Sequence, residues 1–364
     1  MRALQPSILC AAAVVAALVL PACQPSRSAD DRAQGWPPKL EDSAFWEMVR
    51  GFSEAGAGYQ PVGGYRSDNL VSNERSLQHV MPMLASLRQA GAYIGVGPEQ
   101  NFTYVVALEP AIAFVIDIRR ENQLLHLLYK ALAETSADRA EFLSRLFARP
   151  RPAGLDPDVS VQALFAAFDA VERSAELEAS TRDAVLQQLA GAHGFSLTDA
   201  ERQGIASIYS RVTEGGPLLR WDATGGAWIP SYAELMTAGD YNGIQRSYLA
   251  SEAAFQTFRR YQLRNQIVPL VGDFGGTVTL AAVGRYLATR DQAVAVFYTS
   301  NVEPYLRNET RAQFIRNVAA LPRLRDGLLV RTTFHRTGET AGLPDFETTT
   351  LTEPLASFVA SEPR

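Results

Sequence analysis

The chain has 364 residues, a net charge of −5 at neutral pH, 47% apolar and 20% charged side chains. That balance describes a globular protein long enough to bury a large core. No basic run appears, which excludes nucleic acid as the expected partner.

In chain order, Arg2 precedes an apolar run from Ile8 to Leu20, too short to span a bilayer, which takes roughly 20 residues. A charged start, a short apolar stretch and small residues before a cleavage point describe a secretory signal over residues 1–22. Leu20-Pro-Ala-Cys23 resembles a bacterial lipobox. It implies lipidation at Cys23, a membrane partner through several acyl chains, and a place in the cell envelope facing the periplasm. Cys10 leaves with the signal, so no thiol is left for a disulfide or a metal. Residues 23–40, with Pro25, Pro37 and Pro38, read as a flexible tether.

Phe45, Trp46, Val49 and Phe52 have the spacing of a short amphipathic helix. Asp68 to Glu74 is predicted to lead into a helix running to about residue 89, with Asn69 or Ser72 as cap and Glu74 in its first turn. A strand is expected at 92–96, a helix at 100–108, a second strand at 112–117 and a helix at 122–134. Helical periodicity then dominates, and Thr198-x-x-Glu201 forms a capping box. Residues 135–246 are read as a helical insertion with at most a small hairpin around Gly225-Gly226. It divides an α/β domain into residues 41–134 and 247–364. In the second part, strands are expected at 267–271 and 293–298, with an antiparallel finish at 328–333 and 347–351. Alternating helices and buried strands specify a doubly wound, mostly parallel sheet.

Ala92-Tyr-Ile-Gly95-Val-Gly97 is a strand running into a glycine turn, and Ala113-Phe-Val-Ile-Asp117 is a strand ending on a carboxylate. Glycines admit a ligand close to the backbone, and an acid at that place accepts hydrogen bonds from ribose hydroxyls. The same glycines also suit a plain tight turn. This arrangement resembles the class I S-adenosylmethionine-dependent methyltransferase superfamily over about 65–134 and 247–352. The resemblance implies S-adenosylmethionine as cofactor, with Gly95 and Gly97 flanking it and Asp117 holding its ribose. It implies that Asp273 and Phe274, after a fourth strand, face the substrate. Tyr93 replaces an acid in that pattern and Glu99 replaces its third glycine; Glu99 could hold an ammonium group or repel a carboxylate. No third strand is evident after the 122–134 helix. Gly97-Pro-Glu-Gln-Asn-Phe-Thr-Tyr104 and Val271-Gly-Asp-Phe-Gly-Gly276 also resemble strings of an uncharacterised bacterial family.

Tyr298 and Asn301 close a strand with polar groups, where open α/β sheets bind ligands, and join Asp273 and Phe274 as substrate-side candidates. Asn122, His126 and Lys130 share one helix face, either lining a pocket or facing solvent. The four histidines lack metal-ligand spacing, and no metal is expected. Two functions follow: methyl transfer to an unknown substrate, or a non-catalytic extracytoplasmic module that binds a small molecule or partner on the same fold.

Overall fold

A computed structural model describes residues 39–55, 69–88, 91–221, 229–340 and 343–361. The expected signal, Cys23 and nearly all of the expected tether lie outside these residues. Among the described residues no helix is long and apolar enough to cross a membrane.

The protein is an α/β domain on one six-stranded sheet. Its strands are β1 (Ala92–Gly95), β2 (Ile112–Asp117), β3 (Ile267–Val271), β4 (Val294–Ser300), β5 (Arg323–Thr340) and β6 (Leu343–Pro354). They lie in the order β3-β2-β1-β4-β5-β6. All neighbours are parallel except β5 and β6, which form a long antiparallel hairpin. Every residue of β1, β2 and β3 is buried, as expected for parallel strands covered on both faces. The fold is a doubly wound, Rossmann-like sheet. From β1 the chain builds outward through β2 and β3, then crosses back to place β4 on the other side. The reversal between β1 and β4 opens a crevice at the carboxyl ends of the strands.

The helices are α1 (Asp42–Gly51), α2 (Met81–Ala85), α3 (Gln100–Leu108), α4 (Arg120–Thr135), α5 (Arg139–Leu146), α6 (Val161–Asp169), α7 (Ala175–Leu186), α8 (Asp199–Gly215), α9 (Tyr232–Thr237), α10 (Glu252–Leu263), α11 (Thr279–Ala288), α12 (Asn308–Ala320) and α13 (Leu355–Ser361). Side-chain caps at Asp138, Ser160, Ser174 and Thr198 start the four main helices of the insertion. The expected capping box is present, with Glu201 returning to the Thr198 backbone. The small hairpin reduces to one bridge, Arg220 to Ser231, and residues 222–228 lie outside the described set.

Two expectations are corrected. The Ile267–Val271 strand is the third of the sheet, not the fourth: it pairs with β2, Asp117 opposite Val271. The third strand is present but arrives after the insertion, so Asp273 lies beside Asp117 instead of across the crevice. The helix expected up to residue 89 is a 3-10 turn, Leu77–Val80, followed by the short α2 with Pro82 in its first turn. Glu74 precedes the turn and points elsewhere.

Candidate functional site

A cleft of about 1320 Å³ lies over the carboxyl ends of β1 to β5. Gly97, Asp117, Asp273, Phe274 and Asn301 line it; Gly95, Glu99 and Tyr298 do not.

Gly97 has φ +82°, a conformation that side chains disfavour, and a β-carbon there would stand 2.8 Å from the Gln100 amide. The turn is braced from behind. Asn101 Nδ2 donates to the carbonyls of Val96 (2.9 Å), Gly97 (3.0 Å) and Pro98 (2.8 Å). His126 Nε2 lies 2.9 Å from the Gly97 carbonyl and donates to it, since a carbonyl can only accept. Burial lowers the His126 pKa to about 4, so its ring is neutral. The Asn122, His126 and Lys130 face of α4 is buried, not a solvent face, and His126 stands behind the turn.

Gly95 serves a different purpose from the one expected. A β-carbon there would meet Asn101 Oδ1 at 2.0 Å and the Tyr93 hydroxyl at 2.4 Å. Its bare backbone makes room for the Tyr93–Asn101 hydrogen bond of 2.7 Å. Tyr93, in place of an acid, thus supports the turn from the core. Glu99 is also corrected. It is fully buried, turned away from the cleft, and accepts a hydrogen bond from the Ser72 amide at 3.2 Å. Burial raises its pKa to about 8, so it is a neutral interior acid at pH 7 and meets no ligand in the cleft.

Asp117 ends β2 and is only 6% exposed, yet it lines the cleft. One oxygen accepts the Arg119 amide at 2.9 Å, and the Gly97 amide also favours the carboxylate. Burial outweighs these contacts and lifts its pKa to about 6. Beside it, Asp273 accepts from the Gly275 amide at 2.8 Å and closes the turn after β3. The Phe274 ring packs on Phe297 and Phe314, with centroids 5.0 and 6.0 Å away. Gln100 reaches from α3 to the cleft floor. Its Nε2 donates to Val96 O and the Tyr298 hydroxyl, while its buried Oε1 has no partner among the described residues.

The opposite end holds a residue that periodicity did not single out for chemistry. Glu74 is 1% exposed and walls the cleft beside Ser300 and Thr332. It accepts hydrogen bonds from the hydroxyls of Ser300 and of Thr332, the latter at 2.5 Å. Tyr298, buried below, places its hydroxyl against the same carboxyl. Ser300 is held at φ +53°, outside the usual range for a serine. Burial raises the Glu74 pKa above the ordinary carboxylate value. No local pattern announces this group; the one signal was an acid in a polar stretch before the first strand.

The cleft therefore has an Asp117 end on β1–β3 and a Glu74 end on β4–β5, meeting at the strand reversal. No curated protein matches the chain. A family model described as a domain of unknown function, DUF7790, matches residues 69–153 and 161–357. Those segments carry the whole sheet, Glu74, the glycine turn, Asp117 and Asp273, and the chain belongs to that family.

Proposed function

We propose that the cleft binds S-adenosylmethionine at its Asp117 end, and that the protein transfers the methyl group to a substrate at the Glu74 end while anchored to the envelope membrane through Cys23. The observation that carries this reading is the Asp117 carboxyl. It sits at a strand end beside the Gly97 turn, at the reversal of an open sheet, with oxygen lone pairs left for ribose hydroxyls. The antiparallel end of the sheet supports it too. With β3 beside β2, Asp273 and Phe274 flank the nucleoside end, and the substrate falls to Asn301 and its neighbours on β4 and β5.

The residues fit the cofactor in room and in polarity. Gly97 adds no side chain of its own to the wall, and Asp117 and the Gln100 Oε1, without a partner among the described residues, offer acceptors. When bound, the cofactor supplies an electrophilic methyl group. The chain contributes orientation and proximity, the main requirements of an in-line displacement.

One observation favours a second reading, a binding module without transfer. The Gln100 amide fills the space over Gly97 that a third glycine would leave open. Calorimetry with S-adenosylmethionine tests the first reading. Saturable binding that disappears in Asp117→Ala is expected, and no binding at millimolar cofactor would sink it. Binding with no turnover against a panel of candidate acceptors would favour the module.

A further inference from the structure

Glu74 is a buried acid. Among the described residues no lysine, arginine or histidine pairs with it. The groups that face it are the hydroxyls of Ser300 and Thr332 and the phenols of Tyr93, Tyr104 and Tyr298. Arg331, one residue before Thr332, is committed to Glu303 and Glu353. Burying a carboxyl without a cation is unfavourable unless it is neutralised or a ligand brings the charge. Glu74 is among the residues that line the cleft, which gives a ligand an approach to it.

The chemistry around it narrows the ligand. An anion is repelled. A divalent metal needs several oxygen ligands, and no group of three or more acids, histidines or cysteines able to hold one occurs among the described residues. A carboxylate has about four lone-pair sites, of which the three hydroxyls take three, leaving room for one further donor. Ser300 keeps lone pairs as well, and Thr332 keeps one beside its contact with the Thr350 hydroxyl, so three N–H donors of one ammonium group can be satisfied together. Toward the mouth the lining adds apolar groups beside Glu303, Arg307 and Arg331. Phe334, Phe346 and Leu351 come from the β5–β6 hairpin and Tyr305 from the loop after β4, and Leu351 and Tyr305 are 51% and 47% exposed.

We propose that this end of the cleft binds a primary ammonium group carried on an apolar stem, with Glu74 as its counter-ion. The inference rests on the reading above only in that it names the class of acceptor for the proposed transfer; the binding itself does not require the adenosyl ligand.

Calorimetry on the full-length protein tests it, with n-butylammonium chloride and its neutral isostere 1-butanol as probes. The wild type is expected to prefer the cation about tenfold, the scale of one charge-assisted hydrogen bond. Glu74→Gln is expected to abolish that preference, and Asp117→Asn to keep it. In the wild type the preference fades as pH falls through the raised Glu74 pKa, while 1-butanol binding stays constant. That measurement stands even if the Glu74 variant does not fold. Equal affinity for the two probes, no saturable binding of the cation at tens of millimolar, or an undiminished preference in Glu74→Gln would overturn the proposal. A preserved preference in a protein that ignores S-adenosylmethionine would remove the methyl-transfer reading and support this one.

Discussion

At Asp117, burial and hydrogen bonding act in opposite directions, and burial wins. Its folded pKa of about 6 stands above the ordinary 3.8, so the folded chain holds a proton that the unfolded chain has lost between those values. Stability contributed at this residue therefore falls as pH rises through that window. The proposed ligand binding would run the other way, because only the ionised form offers all its lone pairs to a ribose. Affinity for S-adenosylmethionine is expected to drop as pH falls below about 6, and Asp117→Asn to be weaker and nearly flat with pH. Glu99 gives a cleaner case, since no ligand complicates it. With a folded pKa near 8 it destabilises the fold progressively from about 4.5 to about 8. Glu99→Gln mimics the protonated acid. Urea unfolding at pH 8 and above is expected to show it more stable than wild type, on the order of a few kcal/mol; an unchanged pH profile would contradict the assignment. The two glycines separate by cause. Gly97→Ala strains a left-handed backbone by about 1–2 kcal/mol and should weaken ligand binding. Gly95→Ala collides with Tyr93 and Asn101 in the core and should lower the melting temperature further.

Among the elements, α1 is fastened to the insertion and to the sheet's own helices by polar groups. Arg50 grips Glu201 with two nitrogens, at 2.6 and 2.7 Å, and Trp46 stacks on Phe195 with centroids 4.8 Å apart. Asp42 reaches His193, which reaches Glu134, which meets the fully enclosed Lys130 at 2.6 Å. Lys130 also donates to the Gln262 carbonyl and to Asn265. Lys130→Met removes one partner of a buried carboxylate, and unfolding experiments should register a loss of about 3–5 kcal/mol. A loss under 1 kcal/mol (within the range of exposed pairs) would show the network to be unimportant. The same elements show what could be read beforehand. β1, β2, β3 and β4 are short apolar runs bounded by turn residues, and the strand-end rule places Gly97 and Asp117 at the cleft without further information. Sheet order is not a local property. Nothing within Ile267–Val271 says that it pairs with β2, and the insertion hid the succession. Glu74 was out of reach for the same reason, since its partners Ser300 and Thr332 lie 226 and 258 residues away. The roles of Gly95 and Glu99 depended on which way a buried side chain turns, and spacing alone does not specify that.

For the whole molecule, the proposed anchor precedes α1 by a short tether, and it is independent of the cleft chemistry. Palmitate labelling and fractionation should find wild type labelled and in membranes and Cys23→Ser unlabelled and soluble; an unlabelled, soluble wild type would remove the anchor. The placement of the insertion has a consequence of another kind. β2 and β3 pair directly, yet Asp117 and Val271 are separated by the whole of α4 to α10. Closing so long a loop is slow, and until it closes β2 presents an open edge of apolar backbone. As synthesis or export delivers the chain from its amino terminus, β1 and β2 emerge well before any of their other neighbours. In pulse-labelled hydrogen exchange, the β2 amides that bond to β3 should gain protection late, after the capped helices of the insertion. The segment that carries the candidate ligand acid is thus open to wrong edge pairing during biogenesis, and a destabilised insertion is expected to show first as aggregation and only afterwards as lost binding.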